Sequence, residues 1–359
     1  MDYLDNALEI LKILNDHNYD AFIVGGFVRD YLLNIESNDI DLTSNATVDE
    51  VSSLFKTIPT GIKYGTVLID YNGYKYEHTT FRSDGSYNDS RHPLEVKYAK
   101  RVEDDIKRRD FTINSFLMDK DKKIYDYLDA KKDLDNKIIK TIGNPSDRFK
   151  EDALRMLRAI SFVSKLGFNL DKQTYDSILE NKELLKNVSV ERIRMEFDKI
   201  SSGKYRSNAW KLFYELKLNS LFPNMPIIKS FDKSFNDILI DNLIETGEIS
   251  DFWQISKSNI ANFKKASNLV KEGVSDYSLF NSGFLSSKLA LDYLKIDISR
   301  YENLKIKSLS DLKINGNDLK FVCDNKRSEC LNHLAKLVLE NKIDNEYSYL
   351  LEEAKKWNM

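Results

Sequence analysis

Residues 21–30 read Ala-Phe-Ile-Val-Gly-Gly-Phe-Val-Arg-Asp, and this stretch decides how the chain begins to fold. An apolar run that stops at two glycines predicts a short buried strand from Ala21 to Val24. A helical segment is expected from about Phe27. Gly25 and Gly26 then occupy a strand-to-helix junction, where glycine permits a positive φ angle and lets the backbone approach another group closely.

More strands are predicted after this junction. Asp39-Ile40-Asp41-Leu42 reads as a second strand, and β-rich runs follow at Thr66 to Asp70 and at Tyr74 to Phe81. Asn72-Gly73 separates these two runs and is a strong hairpin signal. The polar stretch from Arg82 to Pro93 is predicted to be a mobile loop.

The second part of the chain has a helical pattern. From about Pro145 onward glycine and proline become scarce, and apolar residues recur at helical spacing, as in Leu154, Leu157 and Ile160. We therefore expect residues 145–359 to be mostly helical, with a further boundary near 220. The predicted fold class is an α+β head, a mixed sheet with helices, followed by mostly α-helical domains.

Composition excludes several classes of protein. The chain has 359 residues, of which 42% are hydrophobic and 31% charged, and no stretch approaches the roughly 20 apolar residues that span a bilayer. Two cysteines cannot form a disulfide framework or a four-cysteine zinc site. We expect a cytoplasmic protein without a membrane partner. The net charge of −3 leaves a nucleic-acid substrate open, because phosphates respond to local patches of charge.

Asp39 and Asp41 are candidate metal ligands. Residues two apart on a strand point to the same face, with Cα atoms roughly 6.5–7 Å apart. Two carboxylates converging from there suit a hard divalent cation. An Asp-x-Asp pair without other context is more often a solvated turn.

The glycine junction is a candidate phosphate site. Close backbone approach, the N-terminus of the following helix and the fixed charge of Arg29 all favour the oxygens of a triphosphate. A glycine turn between two packed elements is the alternative. Asp39 follows Asp30 by nine positions, which brings the two candidate sites within reach of one triphosphate. Glu77, on the strand after the hairpin turn, is either a third carboxylate of this group or an exposed strand residue.

Three consecutive cations, Lys107-Arg108-Arg109, precede Asp110-Phe111-Thr112-Ile113-Asn114. They are either a solvated basic face or, next to a triphosphate, groups that neutralise the charge of the leaving pyrophosphate.

The segment from Glu151 to Arg158 is the most informative. On a helix, Asp152, Arg155 and Arg158 would share a polar stripe of about 120°. The simple interpretation is an i,i+3 ion pair on a helix surface. The alternative is base recognition, because Asp152 can accept from the amino group of cytosine or adenine while Arg155 donates to the adjacent ring nitrogen. Uracil and guanine present the reverse order and would leave polar groups unpaired.

In this order and approximate spacing, the motifs resemble those of class II tRNA nucleotidyltransferases and the related bacterial poly(A) polymerases, within the polymerase-β-like nucleotidyltransferases. They are Gly25-Gly26-Phe27-Val28-Arg29-Asp30, Asp39-Ile40-Asp41, Arg108-Arg109-Asp110-Phe111-Thr112-Ile113-Asn114 and Glu151-Asp152-Ala153-Leu154-Arg155-Met156-Leu157-Arg158. The resemblance covers most of the chain. It implies a nucleotidyltransferase head at 1–140, a helical neck with base recognition at 141–220, and a helical body and tail that bind tRNA at 221–359.

The resemblance also implies an activity and its residues. The activity is template-independent addition of the 3′-terminal CCA to tRNA from CTP and ATP, with release of diphosphate. Mg²⁺ would bind Asp39 and Asp41, with Glu77 as a further catalytic carboxylate, and Gly26 and Arg29 would hold the triphosphate. The residues expected to contact the incoming nucleotide are Arg109, Asp152, Arg155 and Arg158. The body and tail would bind the acceptor end and elbow of tRNA, with Lys264, Lys265, Lys305 and Lys307 as phosphate contacts or ordinary surface lysines.

Two departures from the family pattern stand out. Ser161 replaces an arginine that many CCA-adding relatives carry, and the hinge-like segment at 126–130 lacks the usual proline and glycine. The loop predicted from Arg82 to Pro93 argues against a CC-only enzyme. Poly(A) polymerase, an A-only enzyme and an inactive RNA-binding protein remain as alternatives.

Overall fold

The computed structural model describes residues 2–83, 97–222, 225, 228–250 and 253–357. The chain divides into two compact units, Met1–Pro223 and Asn224–Met359. Of the predicted loop from Arg82 to Pro93, only Arg82 and Ser83 are described, as a strand, and the rest lies outside the described residues. The three-part division at 140 and 220 stays a prediction.

The first unit contains all the strands of the described chain. They are β1 (Ala21–Val24), β2 (Asp41–Ser44), β3 (Thr57–Gly61), β4 (Thr66–Tyr71), β5 (Tyr74–Thr80), β6 (Arg82–Ser83), β7 (Lys97–Tyr98), β8 (Leu117–Met118), β9 (Ile124–Tyr125), β10 (Ile138–Ile139) and β11 (Asn169–Leu170). Its helices are α1 (Tyr3–Asp16), α2 (Gly26–Leu32), α3 (Val48–Leu54), α4 (Val102–Lys107), α5 (Ala130–Asp135), α6 (Pro145–Glu151), α7 (Leu154–Leu166), α8 (Lys172–Asn181), α9 (Val190–Ser202) and α10 (Arg206–Glu215).

Seven strands form one mixed sheet in the order β3-β4-β5-β2-β1-β8-β9. β2 runs parallel to β5 and places Asp41 opposite Glu77, while the other neighbouring strands are antiparallel. The predicted hairpin between β4 and β5 is present, with positive φ at Asn72 and Gly73 as a two-residue type I′ turn requires. The α+β head with a mixed sheet is therefore confirmed.

The second strand begins later than predicted. β2 starts at Asp41, and Asp39 lies on the exposed segment before it. The cause is the neighbouring strand: Val24 pairs with Asp41, and Gly25 then leaves the extended conformation at φ +78°. Asp39 therefore has no partner residue in the ladder with β1.

The helix predicted through residues 151–158 is also interrupted. Asp152 ends α6 in an extended conformation (φ −147°, ψ 103°), and α7 begins at Leu154. The Asp152 carboxylate accepts a 3.1 Å hydrogen bond from the Leu154 N–H, a local bond that competes with continuation of a helix. Asp152 is therefore not part of a stripe on one helix with Arg155 and Arg158.

α6 and the helices after it confirm the prediction that the chain is mostly helical from Pro145 onward. In the first unit α7 packs against α9 and α10. The helices of the second unit are α11 (Phe235–Thr246), α12 (Lys257–Glu272), α13 (Asp276–Ser282), α14 (Phe284–Leu294), α15 (Ser299–Glu302), α16 (Arg327–Leu339) and α17 (Tyr347–Trp357). There α12 packs against α11 and α14, and α16 against α13 and α17. In the described part of the chain, none of the helices combines the length and apolar character needed to span a bilayer.

Candidate active site

A cavity of about 540 Å³ lies in the first unit, beside the start of α2 and the walls formed by α7 and α9. It is lined by Gly26, Arg29, Asp39, Asn114, Arg158, Ser161, Phe162, Lys165, Glu196, Lys199, Ser202, Gly203 and Lys204. The cavity brings together four of the residues predicted from sequence: Gly26, Arg29, Asp39 and Arg158. It combines acidic and basic groups, as a site for a metal-bound triphosphate requires.

Asp39, Asp41 and Glu77 share one electrostatic environment. Partial burial raises the pKa of Asp41 to about 6, and the neighbouring charges of Asp39 and Glu77 add to this rise. Arg109 opposes the rise, and Asp41 Oδ2 lies 3.9 Å from where a Cβ atom on Gly25 would stand. The structure therefore brings the three predicted carboxylates into the same field, with Gly25 leaving room beside them.

The donor set fits a divalent metal whose coordination is completed by substrate. Across the described ranges, no group of three or more His, Cys, Asp or Glu side chains is arranged to hold a metal ion by itself. Mg²⁺ commonly takes one or two protein carboxylates and fills its other positions with phosphate oxygens and water. Burial first, and the charges of Asp39 and Glu77 second, raise the pKa of Asp41, and a bound cation would favour the ionised carboxylate.

Arg29 is a fixed, buried cation at the cavity wall. The residue is 1% exposed, its Nη2 lies 2.7 Å from Asp30 Oδ1, and its Nη1 donates a 2.6 Å hydrogen bond to Asn114 Oδ1. The ring of Phe162 lies 5.4 Å from the Arg29 guanidinium carbon and 5.6 Å from that of Arg158. Cations and an aromatic face thus hold one another in place.

Asp110 holds Arg158 toward the cavity. Its Oδ2 accepts hydrogen bonds from Arg158 Nε at 2.8 Å and Nη2 at 2.6 Å. Its Oδ1 accepts from the Phe111 N–H at 2.8 Å and from Asn114 Nδ2 at 3.2 Å. A continuous hydrogen-bonded chain therefore runs from Arg29 through Asn114 and Asp110 to Arg158.

The three consecutive cations do not behave alike. Lys107 is exposed, whereas Arg108 and Arg109 pair with the buried carboxylate of Asp105 at 2.6 and 3.0 Å. Nη1 of Arg109 lies 3.6 Å from the position of a Cβ atom on Gly25. A solvated basic face is therefore the wrong interpretation for Arg108 and Arg109, and Arg109 lies beside Asp41.

Asp152 and Arg155 are not among the described residues that line this cavity. Asp152 Oδ2 accepts a 2.8 Å bond from Arg192 Nη2, and Arg155 Nη1 bonds Glu151 Oε2 at 2.6 Å. Each of the two side chains therefore pairs with another charged residue, Asp152 with Arg192 and Arg155 with Glu151. Their role in base recognition stays a prediction.

Ser161 lies in a buried polar cluster. Its hydroxyl donates a 2.6 Å bond to Glu196 Oε2, and Lys199 Nζ lies 2.7 Å from Glu196 Oε1. Glu196 lines the cavity and is only 2% exposed, and each of its carboxylate oxygens has a partner. At position 161 a serine hydroxyl therefore contacts the Glu196 carboxylate, where many relatives carry an arginine.

The hinge-like segment at 126–130 lacks the usual proline and glycine and contains two aspartates, Asp126 and Asp129. Asp129 occupies the left-handed region at φ +55°, a conformation that glycine adopts more readily. The Asp126 carboxylate accepts hydrogen bonds from the N–H groups of Leu128, Ala130 and Lys131 at 3.2, 2.9 and 2.8 Å. Side-chain hydrogen bonds therefore shape a turn that lacks the usual residues.

Sequence reasoning did not identify several residues of the cavity as site residues. Asn114 stood in a quoted motif without an assigned role. Phe162 and Lys165 follow Arg158 by four and seven positions, so continuing the helical stripe along α7 would have found them. Glu196, Lys199 and Lys204 belong to α9 and the segment after it, and only the packing of α9 on α7 brings them here.

The chain is similar to known proteins over nearly all of its length. Residues 21–140 match a family model described as the poly A polymerase head domain, and residues 167–228 match one described as a probable RNA and SrmB-binding site of polymerase A. A CCA-adding enzyme of Bacillus pumilus is 37% identical, with 95% of this chain and 94% of that protein covered. A CCA-adding enzyme of Lactobacillus helveticus is 34% identical, with 96% and 95% covered.

Solved structures agree with these matches. The crystal structure of the Bacillus stearothermophilus CCA-adding enzyme in complex with CTP aligns with a TM-score of 0.80 at 28% identity, covering 100% of this chain and 98% of that one. The Thermotoga maritima CCA-adding enzyme complexed with tRNA aligns with a TM-score of 0.57 at 19% identity, covering 98% and 94%, which shows a shared fold.

Proposed function

The chain belongs to the family of the CCA-adding enzymes, and from this premise we propose that it adds the 3′-terminal CCA of tRNA, without a template, from CTP and ATP. In this reaction the terminal 3′ hydroxyl of the RNA attacks the α-phosphorus of the nucleotide. A new P–O bond forms, the bond to the β-phosphate oxygen breaks, diphosphate leaves, and the hydroxyl proton is released. The observation that carries the proposal is one cavity lined by Asp39, Arg29 and Arg158, beside the Asp41–Glu77 pair.

Asp39 and Asp41 are proposed to hold the metal, and Glu77 to act as a further carboxylate beside them. Enzymes of this family are nucleotidyltransferases that generally use divalent metal ions, and Mg²⁺ is proposed here because the donors are carboxylate oxygens. When bound, the metal would favour ionisation of the attacking hydroxyl and neutralise phosphate charge. Asp41 contributes by being mostly ionised at neutral pH, above its pKa of about 6.

Gly26 and Arg29 are proposed to bind the triphosphate. Gly26 places backbone without a side chain at the cavity wall, and Arg29 supplies a positive charge whose position Asp30 and Asn114 fix. Arg109, beside Asp41, is proposed to stabilise the charge that develops on the departing diphosphate. A charge that is already oriented requires no reorganisation as the reaction proceeds.

Asp152 and Arg155 are proposed to select cytosine and adenine, and Arg158 to contact the incoming nucleotide. Arg158 already lines the cavity, held by Asp110. Asp152 and Arg155 are bonded to Arg192 and Glu151, so reading a base requires them to exchange these partners for the base edge. Selection would follow from the amino donor and ring acceptor that both correct bases present side by side.

The remaining assignments follow the same proposal. We assign 1–140 to the catalytic head, 141–220 to the neck, and 221–359 to a body and tail that bind the acceptor end and elbow of tRNA. Lys264, Lys265, Lys305 and Lys307 are exposed and are proposed phosphate contacts. A cytoplasmic location is proposed because both cysteines, Cys323 and Cys330, are free thiols.

One experiment tests the activity. Purified protein is offered tRNA transcripts that end at the discriminator nucleotide, at C or at CC, with each nucleotide triphosphate separately and with CTP and ATP together. A CCA-adding enzyme given CTP should add two cytidines to the transcript that ends at the discriminator, one to the transcript that ends in C and none to the transcript that ends in CC. Given ATP, it should add one adenosine to the transcript that ends in CC. An A-only enzyme would extend only that last transcript, a poly(A) polymerase would add long adenosine tails to all three, and an inactive RNA-binding protein would extend none.

A further inference from the structure

The rim of the cavity carries a segment, Ser202 to Tyr205, that the proposed catalytic roles do not use. Ser202, Gly203 and Lys204 line the cavity, and Tyr205 follows directly. We infer that Lys204 and Tyr205 form a docking site for a nucleotide at the 3′ end of the RNA acceptor strand. Tyr205 would stack on its base and Lys204 would bind its phosphate. The inference rests on the proposed function and names where the acceptor strand meets the neck.

Tyr205 presents its ring from a fixed position. A Cβ atom on Gly167 would lie 2.9 Å from three carbons of the Tyr205 ring, so the ring lies directly against the backbone of this glycine. Gly167 ends α7 in the left-handed region, at φ +71°. Tyr205 packs against Gly167 and remains 38% exposed, with the Lys204 ammonium over its ring. An aromatic ring that is fixed and partly exposed is suited to stacking.

The backbone around the tyrosine is fixed as well. A Cβ atom on Gly203 would lie 2.2 Å from Ser164 Oγ and 2.5 Å from Ser164 O, so only glycine allows this approach to α7. The N–H of Tyr205 donates a 2.7 Å hydrogen bond to Ser164 O. The segment is therefore anchored on α7 at two successive points. A platform that is already ordered loses little conformational entropy when a ligand binds.

Lys204 differs from the other lysines of the cavity wall. Lys165 pairs with Asp30 at 2.9 Å, and Lys199 pairs with Glu196 at 2.7 Å. Lys204 is exposed, its ammonium lies 5.5 Å from the centroid of the Tyr205 ring, and it has no carboxylate partner among the residues that the structure describes. Its charge is therefore available to an anion that approaches Tyr205.

A nucleotide supplies both groups that this pair can bind. Proteins that hold single-stranded RNA combine a positive groove along the phosphates with aromatic side chains on which bases stack. The pair lies at the rim of the cavity proposed to hold the incoming nucleotide, and the acceptor strand must reach that cavity with its 3′ hydroxyl. The unpaired end of the RNA therefore fits this rim in both charge and shape.

The test uses RNA hairpins that mimic an acceptor stem and end in one unpaired nucleotide, with either a normal base or an abasic residue there. The variants are Tyr205→Ala, Tyr205→Phe, Lys204→Ala and, as a matched charge control, Lys211→Ala, an exposed lysine of α10 outside this cavity. Affinity is measured by fluorescence anisotropy of labelled hairpin, and KM is measured for hairpin and for CTP.

We expect Tyr205→Ala to raise the KM and Kd for the normal hairpin by about fivefold or more, the loss expected for one stacked base. The KM for CTP should stay unchanged, and Tyr205→Phe should resemble the wild type. The wild type should bind the abasic hairpin more weakly than the normal hairpin. Tyr205→Ala should bind the two hairpins with equal affinity. Lys204→Ala should lower the affinity for both hairpins and reduce the salt dependence of binding. Lys211→Ala should change neither quantity.

Two results would overturn the inference while CCA addition stands. The first is that Tyr205→Ala and Lys204→Ala fold and bind both hairpins with the affinity of the wild type. The second is that the wild type binds the normal and the abasic hairpin with equal affinity, a result that does not require Tyr205→Ala to fold. A wild type that binds the hairpin but adds no cytidine would instead refute the proposed function, because the binding measurement does not depend on turnover.

Discussion

Nη1 of Arg29 donates a 2.6 Å hydrogen bond to Oδ1 of Asn114, although 85 positions separate the two residues in the chain. Both side chains are buried, with 1% and 7% exposed. The amide nitrogen of Asn114 donates in the opposite direction, to Asp110, which holds Arg158. One asparagine therefore connects the cation proposed for the triphosphate with an arginine on α7.

Asn114→Ala should weaken nucleotide binding. The substitution removes the acceptor for Arg29 and the donor to Asp110, and a hydrogen bond to a charged group contributes about 1.5–3 kcal/mol. We therefore expect the KM for both CTP and ATP to rise about ten- to hundredfold, as steady-state kinetics with a tRNA transcript would measure. The control is Asn15→Ala on α1, which removes a local 2.8 Å hydrogen bond from the Asn15 amide to Tyr19 O. Equal kinetics for the two variants would show that the Arg29–Asn114 contact has no role in the site.

Asp39→Ala and Asp41→Ala should each abolish addition of both C and A. Either change removes a carboxylate from the proposed metal site, and we expect turnover to fall on the order of 10³-fold or more. Binding of tRNA should remain, because its main contacts are proposed elsewhere. Asp49→Ala, an exposed acid on α3, provides the control. Near-normal turnover of either site variant, measured by gel analysis of product lengths, would remove the metal assignment.

Local signals in the sequence predicted the head well. The strand from Ala21 to Val24, the glycine junction and the hairpin turn at Asn72-Gly73 all depend on residues adjacent in the chain. These features were predictable because short-range steric and hydrophobic preferences agree with the final fold.

Two kinds of feature were not predictable from helical periodicity. At Asp152, a local hydrogen bond from the Leu154 N–H to the carboxylate interrupts a helical pattern that looks continuous in the sequence. The partners of Arg158 and Ser161, Asp110 and Glu196, lie 48 and 35 positions away. Periodicity reveals which face of α7 is polar, whereas the packing of distant elements decides which group meets it.

Asp152→Ala should relax nucleotide choice, so that UTP or GTP is incorporated. Without the carboxylate, a wrong base no longer leaves a buried acceptor unpaired, and discrimination should fall about tenfold. Competition assays with paired nucleotides measure the ratio of kcat/KM values. Asp147→Ala, an exposed acid on α6, is the control for lost charge. Arg192→Ala tests whether the loss of discrimination arises from breaking the 2.8 Å hydrogen bond between Arg192 and Asp152. An unchanged preference for C and A in Asp152→Ala would contradict the base-reading proposal.

His78 should make the stability of the head depend on pH. Complete burial of this β5 residue lowers its pKa to about 4, while Ser44 Oγ lies 2.7 Å from Nε2. An unfolded chain would bind the proton near pH 6.5, so it carries more protons than the folded chain between pH 6.5 and 4. The free energy of unfolding should therefore fall by about 3 kcal/mol as the pH drops through this window, in addition to the effect of other groups.

Urea unfolding of wild type and His78→Gln at pH 7.5, 5.5 and 4.5 measures the difference. Because glutamine does not titrate, the variant should lose less stability on acidification, and parallel losses in the two proteins would show that His78 is not the group responsible.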